Sequence, residues 1–112
     1  MSIDFGRLNV NTATTPETFI SDANALARIR GSSIVSSIQF HAPPDNAGDV
    51  YVGITSRTGT TIMSATYGWT LEAGDVLTLN NISEKFENFQ GDAATSGDDI
   101  EWVASYQTKA KA

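Results

Sequence analysis

Cysteine is absent from this chain, histidine occurs once and proline three times. Without cysteine there are no disulfides, no thiolate metal sites and no cysteine nucleophiles, so stability rests on packing or on assembly. A single histidine, His41, does not supply the two or three imidazoles of the usual catalytic zinc site. Charge is sparse as well: Asp, Glu, Lys and Arg make up 18% of the residues, and the acids prevail, leaving a formal charge of −6 and a pI near 4.4. A phosphate backbone or an anionic membrane surface repels such a chain at long range, so neither nucleic acid nor membrane is an expected partner. No apolar run approaches the ~20 residues that span a bilayer. Residues 1–7 lack a basic segment followed by an apolar one, so no secretory signal is expected, and the product is expected to stay in the cytoplasm or to enter something larger assembled there. No glycine-rich loop leads into the Lys-Ser or Lys-Thr of a phosphate cradle.

What the chain does contain is the material of strands and turns. Its 112 residues suit one domain, long enough to bury roughly two thirds of the unfolded surface. Apolar residues reach 40%, and Ser, Thr, Asn and Gly are abundant, a mixture that favours β-structure. Residues 1–20 are Thr- and Asn-rich, with a short alternation at Leu8 and Val10 that suits either an extended arm or an edge strand. Residues 21–29 admit a capped helix start or a strand from about Ala25, and the strand is favoured. In Ile34-Val35-Ser36-Ser37-Ile38-Gln39-Phe40-His41 a period of two sets Ile34, Ile38 and Phe40 on one face and Ser37 and Gln39 on the other. Pro43-Pro44-Asp45-Asn46-Ala47-Gly48 then breaks the strand, and Val50, Val52 and Ile54 begin another, read as its antiparallel neighbour. Further strands are expected at residues 60–65, 76–79 and 86–89, with a corner at Ala73-Gly74-Asp75 where Gly74 is free to take a positive φ. Residues 91–99 read as a polar acidic loop, and Ile100, Trp102, Ala104 and Tyr106 alternate along a last strand. The expected fold is all-β: a single-domain antiparallel β-sandwich, jelly-roll-like, of about seven or eight strands with an extended N-terminal arm. The divisions are an arm or edge strand at 1–20, the sandwich at 21–108 and a flexible tail at 109–112.

Residues 34–104 resemble a small β-sandwich domain that recurs in tailed-bacteriophage virion proteins, of the capsid decoration (cement) or head-fibre type. The resemblance is carried by Ile38-Gln39-Phe40-His41-Ala42, the turn Asp45-Asn46-Ala47-Gly48-Asp49 and Val50-Tyr51-Val52-Gly53. It continues through the corner Gly68-Trp69-Thr70-Leu71-Glu72-Ala73-Gly74-Asp75, an acidic glycine loop and Ile100-Glu101-Trp102-Val103-Ala104. It implies a capsid decoration protein that binds the assembled head, with the major capsid protein of the same virion as partner, a homo-oligomer with a trimer as the natural guess, and the capsid surface as its location. Binding only the assembled shell would stabilise that shell. An extra residue or so near Phe86 and the long N-terminal lead depart from the pattern, and leave open which appendage it is most like.

The residues proposed for contact with a capsid or other partner are Phe5, Arg7, Leu8 and Val10 in the lead, Arg28 and Arg30 on a strand, and Trp69 beside Gly68. The alternative is a carbohydrate- or receptor-binding module of a fibre or tail, using Trp69, Trp102, Tyr51, Tyr67 and Tyr106 as a platform of flat rings. Core packing competes with that role, above all for Trp102, whose face is shared by Ile100 and Ala104. No catalytic, metal or cofactor residues are assigned: His41 has no patterned serine and orienting carboxylate around it. The carboxylates Asp92, Asp98, Asp99 and Glu101 are hard ligands of the kind calcium takes, but their spacing is not that of an EF-hand loop, and a solvated turn is the simpler reading.

Overall fold

The computed structural model describes residues 2–19, 29–55 and 68–107. Among these residues nine strands form: β1 (Ser2–Asn9), β2 (Glu17–Thr18), β3 (Ile34–His41), β4 (Val50–Ile54), β5 (Trp69–Leu71), β6 (Val76–Leu79), β7 (Glu84–Lys85), β8 (Phe89–Ala93) and β9 (Asp99–Tyr106). They build two antiparallel sheets. The larger has the order β1-β9-β3-β6, with the short β7 also beside β3, and the smaller has the order β2-β8-β4-β5. The pairing is nested, β1 with β9, β2 with β8, β3 with β6 and β4 with β5. Pairing of β3 with β9 and of β4 with β8 wraps this long hairpin onto itself. Eight strands in two such four-stranded sheets are a jelly roll, and β7 is a short addition to it.

Alternation explains why these segments adopt strands. Along β9, Ile100, Trp102, Ala104 and Tyr106 are buried while the residues between them face outward; β4 buries Val50, Val52 and Ile54 in the same way. Each sheet thus presents one apolar face, and the two faces close on each other. Between them Phe40 from the larger sheet meets Phe19 at a centroid distance of 5.0 Å and Phe89 of the smaller sheet at 6.0 Å. Phe86 and Trp102 pack at 4.9 Å. The Trp102 indole N–H is buried without an acceptor, a local cost accepted for the apolar area the ring covers.

Residues 2–19 belong to the sandwich and are no separate arm. β1 pairs with β9 along its whole length, from Ser2 opposite Tyr106 to Asn9 opposite Asp99, and β2 joins the smaller sheet. Leu8 and Val10 are fully buried, so they serve the core and are not available to a partner. The chain closes tightly there: a Cβ on Gly91 would lie 2.8 Å from Ile100 Cδ1, 2.9 Å from Phe19 Cζ and 3.0 Å from Leu8 Cδ2. Only a glycine lets the β8 backbone approach these three side chains.

Other expectations change for identifiable reasons. β3 and β4 lie in different sheets and are not neighbours; the connection between them crosses from one layer to the other, about 10 Å, where a neighbouring hairpin strand would need only a tight turn. The inward phase of β3 begins at Val35 rather than Ile34, because the register against β9 shifts between Val35 and Ser37. A bulge there adds one residue and reverses the alternation upstream of it. Phe86–Asn88 is a 3-10 turn with Phe86 buried, and β8 begins only at Phe89. β8 then extends through Ala93, so the acidic turn is shorter than 91–99. The corner at Gly74 forms as expected: Asp75 N–H donates to Glu72 O at 2.9 Å and Gly74 has φ 91°, the left-handed value required at the third position of a type II turn. The strands expected near Ala25 and at 60–65, and the tail 109–112, lie outside the described residues.

Candidate functional site: the outer face of the larger sheet

Cross-strand register sorts the outward side chains of the larger sheet into rows. One row runs Phe5, Val103, Gln39, Thr78 across β1, β9, β3 and β6. The next runs Arg7, Glu101, His41, Val76 across the same four strands. On the other side of the first row stand Ile3, Ser105 and Ser37. The face therefore has a charged band bordering a broad band without charge.

The charged band is internally bonded. Arg7 reaches Glu101 Oε2 at 2.6 Å and Asp99 Oδ2 at 3.5 Å, and His41 Nδ1 lies 2.8 Å from Glu101 Oε1. Asn9 Nδ2 donates to Asp99 Oδ1 at 2.8 Å. The hydrogen bond from Arg7, then that of His41, holds the Glu101 carboxyl below its ordinary range. The depressed value means that this contribution to stability is present above the unfolded carboxylate range and is lost as pH falls through the folded one. Because Arg7 and Glu101 are well exposed, water screens the pair and its net worth is small.

The second band is uncharged, and its three apolar members are exposed. Phe5 is 73% exposed, Ile3 67% and Val103 37%, and Phe5 stands directly opposite Val103. Its polar members partly satisfy one another, Gln39 Nε2 donating to Thr78 Oγ1 at 3.1 Å.

Of the proposed contact residues, Phe5 and Arg7 stand on this face in adjacent rows. Arg30 is exposed, but it lies in the turn before β3 rather than on a strand. Its guanidinium donates to Ile29 O. Arg28 lies outside the described residues. Trp69, 40% exposed, is on β5, the strand that ends the smaller sheet beside the Gly74 corner. It therefore stands on the smaller sheet, whereas Phe5 and Arg7 are on β1, an end strand of the larger. The five-ring platform does not assemble among the described residues. Trp102 and Tyr106 are buried, Tyr67 lies outside them, and Trp69 shares the face of Val52 while Tyr51 points to the other side of the same sheet.

The four carboxylates considered for calcium are all engaged by protein donors, and two of them, Asp99 and Glu101, share Arg7. Asp98 accepts the N–H groups of Ala47 and Gly48, both at 2.9 Å; Asp99 and Glu101 are engaged as above; Asp92 accepts the Ala93 N–H at 2.8 Å. Among the described residues no group of three or more His, Asp or Glu is placed to hold a metal ion. The link between His41 and Glu101, the base-and-orienter half of a hydrolytic triad, escaped the sequence reading because it depends on which strand neighbours β3. Among the described residues His41 bonds no hydroxyl, and its neighbour across β6 is Val76.

Two acids are buried among the described residues, Asp98 at 7% exposure and Asp92 at 2%; Asp92 is the one that burial perturbs. Burial pushes its carboxyl above the ordinary range, against the opposing hydrogen bonds of Ala93, Thr15 and Thr14 backbone N–H. A raised folded value gives stability that is complete below the unfolded value and is lost as pH rises through the folded one. Asp92→Asn lacks this titration, so relative to the native chain it should gain stability as pH rises from the acid range to neutrality. Urea melts of both proteins at a series of pH values check this, and a difference that stays flat or falls with pH refutes the assignment.

Comparison with protein-family models, with curated proteins and with solved structures gives no match for this chain.

Proposed function

We propose that the chain is a non-enzymatic structural protein of a phage virion, of the capsid decoration kind, which attaches to the major capsid protein of the assembled head. The observation that carries this reading is the set of exposed apolar side chains, Phe5, Ile3, Val103 and Val76 on the larger sheet and Trp69 on the end strand of the smaller. A protein that tiles a lattice needs two contacts, one to the lattice and one to its own kind, whereas an enzyme needs one concave centre. The resemblance of residues 34–104 to virion sandwich domains supports the same reading, and the acidic charge of −6 keeps free copies soluble before assembly. A jelly roll alone decides nothing, since lectins and cupins share it with capsid proteins.

Trp69 is the residue assigned to the shell. Expanded empty heads of the same virus, mixed with purified protein and pelleted, should carry it down at a saturating stoichiometry. Trp69→Ala should lower the apparent affinity at least about tenfold, since a buried aromatic anchor is worth about 2 kcal/mol or more. Pelleting with host polysaccharide but not with heads would transfer the assignment to a fibre or tail module.

A further inference from the structure

We propose that residues 11–16, the connection from β1 to β2, form a latch over Asp92 that stays shut while the carboxyl is protonated and loosens when it ionises. The latch is a local device at one edge of the smaller sheet, and it stands whether or not the chain decorates a shell.

Its first part is the placement of the acid. Gly91 faces the core, since a Cβ there would meet Ile100, Phe19 and Leu8. The next residue of the strand, Asp92, therefore points to the outer face of the smaller sheet, where a carboxylate ordinarily meets water. It is buried all the same. The connection folds over it, and the backbone N–H groups of Thr14 and Thr15 join that of Ala93 at its oxygens.

No cation shares that site among the described residues. β4 sets Tyr51 opposite Asp92, Asp49 lies beside Ala94, and β2 sets Glu17 beside Gly91. The turn after β8 adds Asp98, whose oxygens are taken by the Ala47 and Gly48 N–H groups. An ionised carboxylate covered by neutral donors, with other acids around it, loses more hydration than those donors return, and burial accordingly raises its affinity for a proton. Uncovering gives the charge back to water. The neutral acid gains little from being uncovered.

The second part is how lightly the cover is held. None of residues 11–16 is buried, so apolar packing does not keep them down. Their flanks are fixed: Val10 N–H donates to Asp98 O at 2.9 Å and Val10 O accepts Gly97 N–H at 2.7 Å, while Glu17 pairs with Gly91. Between these anchors, apart from Asp92, Ala13 N–H donates to Ser96 Oγ at 2.8 Å and Thr14 N–H to Ala93 O at 3.2 Å. Thr14 itself has a φ of 61°, a left-handed conformation that is strained for a β-branched residue. An exposed segment with few bonds and a strained centre opens before the sheets do.

The direction of the response follows from linkage. The covered carboxyl binds its proton more tightly than the uncovered one, so closure is favoured in full below the ordinary carboxylate range, and that advantage is lost as pH rises through the raised value. Opening frees the Asp92 carboxylate and the Ala93 carbonyl at the end of β8 and leaves β1 and the core in place.

Amide hydrogen exchange of the full chain, followed by NMR from about pH 4 to about pH 8, starts near the ordinary Asp value and passes through the raised one. Expressed as protection relative to free peptide, Thr14 and Thr15 should lose about tenfold or more over that range, since one pKa unit between the two forms is a factor of ten. Val10 and Gly97, bonded at the base of the latch, should change much less. In Asp92→Asn the protection of Thr14 and Thr15 should no longer vary with pH. Thr14→Gly relieves the strain of the closed form and leaves the carboxyl in place, so it should raise protection throughout and keep the fall with pH. Should Asp92→Asn not fold, the carbon-13 titration of the Asp92 carboxyl in the native chain decides, because its midpoint must coincide with that of the fall. Protection at Thr14 and Thr15 that stays level or rises with pH overturns the inference, as does a fall that Asp92→Asn retains, that Val10 and Gly97 share equally, or that is displaced from the Asp92 titration.

Discussion

Phe40→Ala is expected to destabilise the protein by about 3–5 kcal/mol, the range for deleting a fully buried phenyl ring that leaves a cavity. The ring is completely buried, and it joins the layers by contacting Phe19 and, across the sandwich, Phe89. With no disulfide to hold the sheets together, the loss is a large part of the 5–15 kcal/mol typical of a domain, and the melting temperature should fall by more than about 10 °C. Phe5→Ala provides the contrast. The same residue type on the outer face should cost the dilute protein less than about 0.5 kcal/mol. Urea denaturation of the two variants measures both, and comparable losses would mean that the inward and outward faces have been assigned wrongly.

That contrast also marks what the sequence made legible and what it did not. Alternation alone separates Ile38 and Phe40 from Gln39, and Ile100, Trp102 and Ala104 from Glu101 and Val103, because the period of a strand is local. The Gly74 corner was equally legible, since turn chemistry is carried by adjacent residues. Partnership between strands is not local. β3 finds β9 and β6 rather than β4, and β1 finds a strand some hundred residues away, so nothing near either strand records the pairing. The Arg7, Glu101, His41 row is therefore invisible in the sequence even though Glu101 visibly alternates with the apolar residues of its strand. The bulge after Val35 hid the phase of β3 for a similar reason, as one extra residue reverses a pattern that otherwise looks regular. Leu8 and Val10 pass for contacts in the sequence because a two-member alternation carries too little pattern to separate a docked edge strand from a free arm.

Arg7, Glu101 and His41 satisfy one another within the chain, so the charged row carries little net electrostatic pull, whereas Phe5, Ile3 and Val103 beside it are exposed.

Asp98→Ala should be the most damaging change at a polar position, costing about 2–4 kcal/mol if the two amides it leaves unpartnered are each penalised at 1–3 kcal/mol and partly rehydrated. Its carboxylate accepts the N–H groups of Ala47 and Gly48, both at 2.9 Å. Beside it, Asn46 Nδ2 donates to Asp99 O at 2.8 Å and Asn46 Oδ1 accepts Asp99 N–H at 3.0 Å. Together these bonds dock the crossing between β3 and β4 onto the start of β9. The Asp45-Asn46-Ala47-Gly48-Asp49 turn and the acidic glycine loop, far apart in the chain, are thus two halves of one clasp. Asp98→Asn keeps the shape but replaces one acceptor with a donor, so it should lose one of the two bonds and fall between the native chain and Asp98→Ala. Amide hydrogen exchange locates the effect: Ala47 and Gly48 should lose protection in Asp98→Ala before β9 does, since a clasp that opens releases the crossing first. Unchanged protection at those two amides would show that the carboxylate does not hold the crossing in place.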